Sequence, residues 1–136
     1  MSSFVYTSCV NELALGEIDF SGGDFAVLLA DLGYEPSRLH SRRADVDEVT
    51  GQGYSSGGKP VDVRITTDRE AGITSVELGG AAWPTSTIRS RCAVYYHLGA
   101  GDAANEELIA VIDFGGEVES SNGMFSLTES VIRLRS

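Results

Sequence analysis

Pro60-Val61-Asp62-Val63-Arg64-Ile65-Thr66 is the stretch on which the fold turns. Val61, Val63 and Ile65 alternate with Asp62, Arg64 and Thr66, the period-two pattern of a strand with one dry and one wet face. Reading outward toward the C-terminus, Ile73 to Leu78 repeats the pattern, with Asp68 to Gly72 as the hairpin turn. Trp83-Pro84 precedes a strand near Arg91 to His97 that carries Cys92, Val94 and Tyr96 on one side, and Gly99 to Asn105 reads as a loop. Leu108 to Phe114 is apolar on both faces, as a strand inside a sheet would be. Ser120-Ser121-Asn122-Gly123 holds the Asn-Gly signal of a hairpin and joins that strand to Met124 to Thr128. Val131 to Leu134 is the last strand.

Toward the N-terminus the pattern changes. Gly51-Gln52-Gly53-Tyr54-Ser55-Ser56-Gly57-Gly58 is a loop by composition. With Pro36, the basic cluster Arg38 to Arg43 and the acids Asp45, Asp47 and Glu48, residues 31–59 read as an exposed arm or long loop. Phe25 to Ala30 is an apolar run too short for a good helix and reads as a buried strand. Residues 3–15 place Val5, Cys9 and Leu13 at a spacing of four on one helical face, with Ser2 or Ser3 as cap and Gly16 at the left-handed C′ position. The expected fold is mainly β, an antiparallel β-sandwich or barrel-like domain of roughly seven strands. Its β core spans 60–135, with one short N-terminal helix and a long Gly-rich arm. The length of 136 residues fits a single domain.

Acidic residues number 20 against 10 basic, a net charge of −10. Phosphate affinity comes from clustered Lys and Arg, so this balance argues against nucleic acid as a partner. The longest apolar run falls far short of a membrane span, and Met1-Ser2-Ser3-Phe4 opens no secretory signal, so the expectation is no membrane and synthesis in a cytoplasm. Cys9 and Cys92 form no CxxC pair. Two reduced, partly buried thiols are expected, with a single disulfide as the alternative.

Three catalytic motifs are approached in the Gly-rich loop and each fails on context. Gly53 to Lys59 matches GxxxxGK, but Pro60 stands where Mg²⁺ needs a hydroxyl, and a strand follows instead of a helix. Gly53-Tyr54-Ser55-Ser56-Gly57 matches GxSxG without the strand-turn-helix of a nucleophile elbow; His97 would be its downstream base. Gly51-Gln52-Gly53 lacks a surrounding βαβ unit. His40, His97 and the two cysteines have no metal-ligand spacing, and Asp45-Val46-Asp47 has Val49 where a Ca²⁺ loop needs its next ligand. No catalytic residue, metal or cofactor is expected. Tyr54, Trp83, Tyr95 and Tyr96 read as core and interface anchors, with a sugar-stacking platform as the alternative.

Read in order, the chain resembles a family of small virion structural proteins of tailed phages and prophages. The resemblance is carried by Gly16-Glu17-Ile18-Asp19-Phe20, Val27-Leu28-Leu29, Tyr34-Glu35-Pro36, His40, Asp45-Val46, Glu48-Val49, Gly51-Gln52-Gly53-Tyr54 and Gly57-Gly58. It continues through Trp83, Ser86-Thr87-Ile88, Arg91 to Tyr96, Leu108 to Gly115, and Asn122-Gly123 with Phe125. Glu129 to Ser136 departs from the family's Asp/Gly-containing ending. The resemblance implies a non-enzymatic capsid decoration or cement protein, a homo-trimer bound to the major capsid protein on the outer head surface of the virion. A tail-tip or fibre module that contacts host glycans is the alternative, and a small hydrolase using Ser55 is the rival from another class. Capsid contacts are expected on the helix near Phe4 to Leu13 and the arm from Tyr34 to Gly58, at Phe4, Tyr34, Arg38, His40, Arg42, Arg43 and Tyr54. Arg38, Arg42 and Arg43 are the candidates to pair with a partner's acids, or else a basic turn balanced by Asp45, Asp47 and Glu48. Deleting 37–58 is expected to leave a folded domain.

Overall fold

The computed structural model describes residues 3–98 and 102–136. Among these lie eight strands in two antiparallel sheets and one α-helix. The larger sheet runs β1 (Phe4–Val5), β7 (Leu108–Leu127), β6 (Ala81–His97), β2 (Phe25–Leu29), β3 (Lys59–Val61). The smaller runs β4 (Val63–Asp68), β5 (Ile73–Leu78), β8 (Ser130–Arg135). The mainly β, sandwich-like expectation holds. Both sheets have free edges, so the barrel alternative is set aside: no closed barrel forms among the described residues.

The stretch from Pro60 to Thr66 alternates as read, but it divides at Asp62 between the two sheets. The Asp62 carbonyl accepts the Gly79 N–H at 2.8 Å, so the β3-to-β4 crossing lies against the β5-to-β6 crossing. Gly80 completes that second crossing: a Cβ there would sit 2.1 Å from the Leu127 carbonyl oxygen. The chain passes from one layer to the other where only backbone fits.

Packing follows from the two layers. Val76 and Leu78 of β5 meet Phe25, Val27, Leu29, Trp83, Tyr95 and Phe125 in one cluster. Ala26, Leu28, Cys92, Val94, Tyr96 and Leu108 form a second cluster that also holds Tyr6, Tyr34 and Val46. Every residue of β2 is therefore buried, its alternate side chains going to the two clusters. Burial of this kind contributes roughly 1.5–3 kcal/mol per large apolar side chain.

Four expectations need correction. Phe4 and Val5 are not helical: they pair with Val111 and Ala110, and the helix α1 is Thr7–Leu15. Its N-cap is Tyr6, with no side-chain cap; Ser3 Oγ instead accepts the Asp113 N–H, and Ser2 lies outside the described residues. Gly16 does end the helix in the left-handed region at φ 77°. Second, the Asn122-Gly123 hairpin does not form. Asn122 has φ 51°, but β7 runs straight through it, and the register changes between Ser86↔Gly123 and Ile88↔Ser120. The left-handed residue is spent on a bulge, which adds a residue without reversing the chain. Third, β6 begins at Ala81, ten residues before the expected start, and admits exposed Pro84 at another register shift. Fourth, residues 31–58 contain no regular strand but are no free arm: Tyr34, Val46 and Val49 are buried. Of the expected loop at 99–105, residues 99–101 lie outside the described residues; Asp102 accepts from both amide groups of Asn105 in the remainder.

Candidate functional site

Backbone hydrogen bonds hold segment 31–58 against the larger sheet. Val49 donates to Leu29 O at 3.0 Å and Arg43 to Glu106 O at 2.8 Å, while Leu108 donates to Ser41 O at 3.0 Å; within the segment Asp31 donates to Asp47 O at 2.8 Å. Asp45 closes a single 3₁₀ turn, Arg43–Asp45, by accepting the N–H groups of Ser41 and Arg42, both at 3.0 Å. Those two donors hold its carboxyl below the ordinary aspartate range. With backbone groups satisfied on distant strands, the segment needs few apolar anchors to stay in place.

The Gly-rich loop has a packing explanation. A Cβ on Gly53 would lie 2.1 Å from Thr85 O and one on Gly58 1.9 Å from Val27 O, and both residues have positive φ. The Gly57 N–H, which a phosphate loop would offer to its ligand, donates to Glu48 Oε2 at 2.7 Å. Lys59 lies over the Trp83 ring at 5.8 Å. Ser55 is exposed, and the His97 ring lies tilted against Phe25 at 5.1 Å with Nδ1 3.5 Å from Glu107 Oε1. Tyr54 donates to Glu48, accepts the Leu29 N–H at 3.1 Å, and tilts against Trp83. Trp83, Tyr95 and Tyr96 are fully buried, so the sugar-platform alternative loses its aromatic surface.

Three of the seven residues chosen from sequence meet in one groove of about 610 Å³, lined by Phe4, Leu32, Gly33, Tyr34, Glu35, Pro36, Arg38 and Arg91. Arg38 lies over the Phe4 ring at 4.6 Å, and its carbonyl accepts the Thr7 N–H at the start of α1. The Tyr34 hydroxyl sits 2.9 Å from both the Tyr6 hydroxyl and His40 Nδ1, and the His40 and Tyr34 rings stack. Burial pushes the Tyr34 phenol up to about 12 and raises Tyr6 further. The groove floor is thus a neutral, hydrogen-bonded aromatic base, and His40 supports it from behind Tyr34. Arg91 lies at the β6 register shift between Ser90 and Cys92, the kind of irregularity that re-aims a side chain. The sequence reading, which placed Arg91 in a regular strand, missed it.

The other four do not share this site equally. Arg42 and Arg43 turn inward: Arg42 Nη1 is 2.8 Å from Glu12 Oε1, and Arg43 Nε is 2.6 Å from Glu106 Oε1. Arg43 also reaches Glu48 at 3.8 Å and covers the Tyr96 ring. Within the chain their acids are mainly Glu12 and Glu106; the balancing acids expected from the adjacent turn are met in part, by Glu48 beside Arg43. One signal for Glu12 existed in the sequence: it lies one helical turn beyond Cys9, on the stripe that faces the core. Tyr54, as described, is a core contact and lies outside the groove.

No protein-family model, curated protein or solved structure matches the chain. Cys9 and Cys92 are free and buried in different clusters, which sets aside the disulfide alternative. Burial pushes their thiols up to about 12 and about 11. Among the described residues no group of three His, Cys, Asp or Glu is placed to hold a metal, and no helix is long and apolar enough to cross a membrane. What the groove offers chemically is recognition: apolar side chains, two guanidinium groups and the Glu35 carboxylate share its lining.

Proposed function

We propose that this chain is a non-enzymatic virion structural protein that decorates the outer surface of an assembled capsid lattice and binds the major capsid protein. The observation that supports this most is the fixed shelf formed by residues 31–58, which brings Phe4, Tyr34 and Arg38 into one groove on the body. A surface ordered before contact loses little entropy on docking, which favours a rigid adaptor. Many copies, each binding only the assembled form, stabilise a lattice by linkage. The acidic balance of the chain keeps such copies from associating with nucleic acid. Homo-trimers astride capsomer boundaries are part of this proposal through the family resemblance.

Copy number in purified particles, measured by quantitative mass spectrometry against the major capsid protein, tests the reading. A ratio near one per capsid subunit is the expected result. A handful of copies per particle points to a tail or fibre, and absence from particles overturns the structural reading.

A further inference from the structure

Ten Lys and Arg residues stand among twenty acids, yet their distribution is uneven. Arg42, Arg43, Arg64 and Arg89 are engaged in ion pairs with glutamates, and Lys59 lies over Trp83. Among the described residues Arg38, Arg69, Arg91, Arg133 and Arg135 make no ion pair, and of these Arg38 and Arg91 are exposed together beside apolar side chains. They line the same groove as Phe4, Leu32, Tyr34 and Pro36, with Glu35 as the carboxylate among its lining residues and Asp31 beside it, 3.5 Å from the Gly33 N–H. Two guanidinium groups free of intramolecular ion pairs favour anionic groups at that place on an otherwise acidic molecule. Each guanidinium has a planar fork that matches a carboxylate bidentately.

We infer that the groove takes an acidic, extended segment of a partner protein, with two carboxylates flanking an apolar side chain. The carboxylates pair with Arg38 and Arg91, and the apolar side chain lies on the floor of Phe4, Leu32, Tyr34 and Pro36. Glu35 repels any segment whose acids fall in another register, which makes the charge pattern selective. A nucleic-acid or phosphate ligand is disfavoured because the remainder of the chain is acidic and the groove is half apolar. The inference rests on the docking reading above in taking the ligand to be protein.

Selection of short peptides from a random displayed library on the intact protein tests it. Enrichment of sequences with two acids around an apolar residue is the expected result. Such peptides weaken about tenfold toward Arg38→Glu or Arg91→Glu and tighten toward Glu35→Gln, while the melting temperature of each variant stays near that of the parent. Neutral or basic winners, no enrichment, or binding to both charge-reversed proteins as tight as to the parent overturns the inference. Capsids separate it from the docking reading. Heads that fail to bind the parent protein while acidic peptides bind overturn only the docking reading. Heads that bind both charge-reversed variants as well as the parent overturn only the groove chemistry.

Discussion

Arg42 and Glu12, thirty residues apart in the chain, meet at 2.8 Å and fasten segment 31–58 to helix α1. Glu12 is buried, whereas the Arg42 side chain is 36% exposed. The pair is thus asymmetric: water reaches the guanidinium but not the carboxylate.

Arg42→Ala leaves Glu12 buried without its cation and is expected to cost about 1–3 kcal/mol in urea unfolding. Adding Glu12→Gln to the same variant recovers part of the loss, because the stranded charge is gone. A cost under about 0.5 kcal/mol, the level of an ordinary surface substitution, counts against the pair.

The pH dependence has a definite sign. Burial, and then the neighbouring Glu107, raise the Glu12 carboxyl above its ordinary value against the pull of Arg42. A raised carboxyl makes the folded state hold its proton longer than the unfolded chain does. That contribution is fully present below the unfolded pKa and declines as pH rises through the folded one. Asp45, lowered by the Ser41 and Arg42 amides, works the other way: its contribution is present above the ordinary aspartate range and declines on acidification. Glu12→Gln should flatten the alkaline-side decline in melting temperature and leave the acid limb in place. A parent-like decline in Glu12→Gln would assign the effect to another group.

Gly58→Ala should be far worse than Gly16→Ala. At both sites φ is positive, but a Cβ on Gly58 would meet Val27 O at 1.9 Å, whereas Gly16 faces nothing within 4 Å. The first is expected to cost more than about 3 kcal/mol and the second about 1 kcal/mol. Equal costs in denaturant titrations would mean that the loop yields and is not held against β2.

The native protein should be almost unreactive toward a disulfide-exchange thiol reagent at pH 8, and should release two equivalents on unfolding. Both thiols are buried and their ionisation is pushed to about 12 and about 11. A rapid native-state reaction at either one would place that cysteine nearer the surface than the packing requires.

Local signals were readable in proportion to how local their causes are. β5 was legible because alternation needs only neighbours, and the end of α1 because Gly16 alone supplies the left-handed residue. Asn122 announces positive φ equally well, but a hairpin and a bulge share that need, and the choice depends on β6 lying alongside. Thr87 Oγ1 accepts the Asn122 N–H across the pair. The break at Asp62 was hidden for a similar reason, since the alternation continues on both sides of a change of sheet. In the groove, Tyr34 and Arg38 were found because they sit close in a segment of unusual composition, and Phe4 because of the helix expected to begin there. Arg91 escaped because a bulge brings it there, and Arg43 misled because Glu106 lies 63 residues away. Removing 37–58 would strip Val46 and Val49 from their clusters, so the deletion is expected to unfold the domain; point substitutions are the sound test.

The strand registers also set the timetable of folding. Phe4 pairs with Val111, Phe25 with His97 and Ile73 with Arg135, so most of the ladder joins residues distant in sequence. Among the described strands the β4–β5 hairpin alone closes over a short turn. During synthesis β1 must wait beside an incomplete sheet until nearly the whole chain has left the ribosome. Such non-local topologies fold in milliseconds to seconds rather than microseconds. The apolar strand β2, waiting for β6, is the part of the nascent chain most in need of a chaperone's cover.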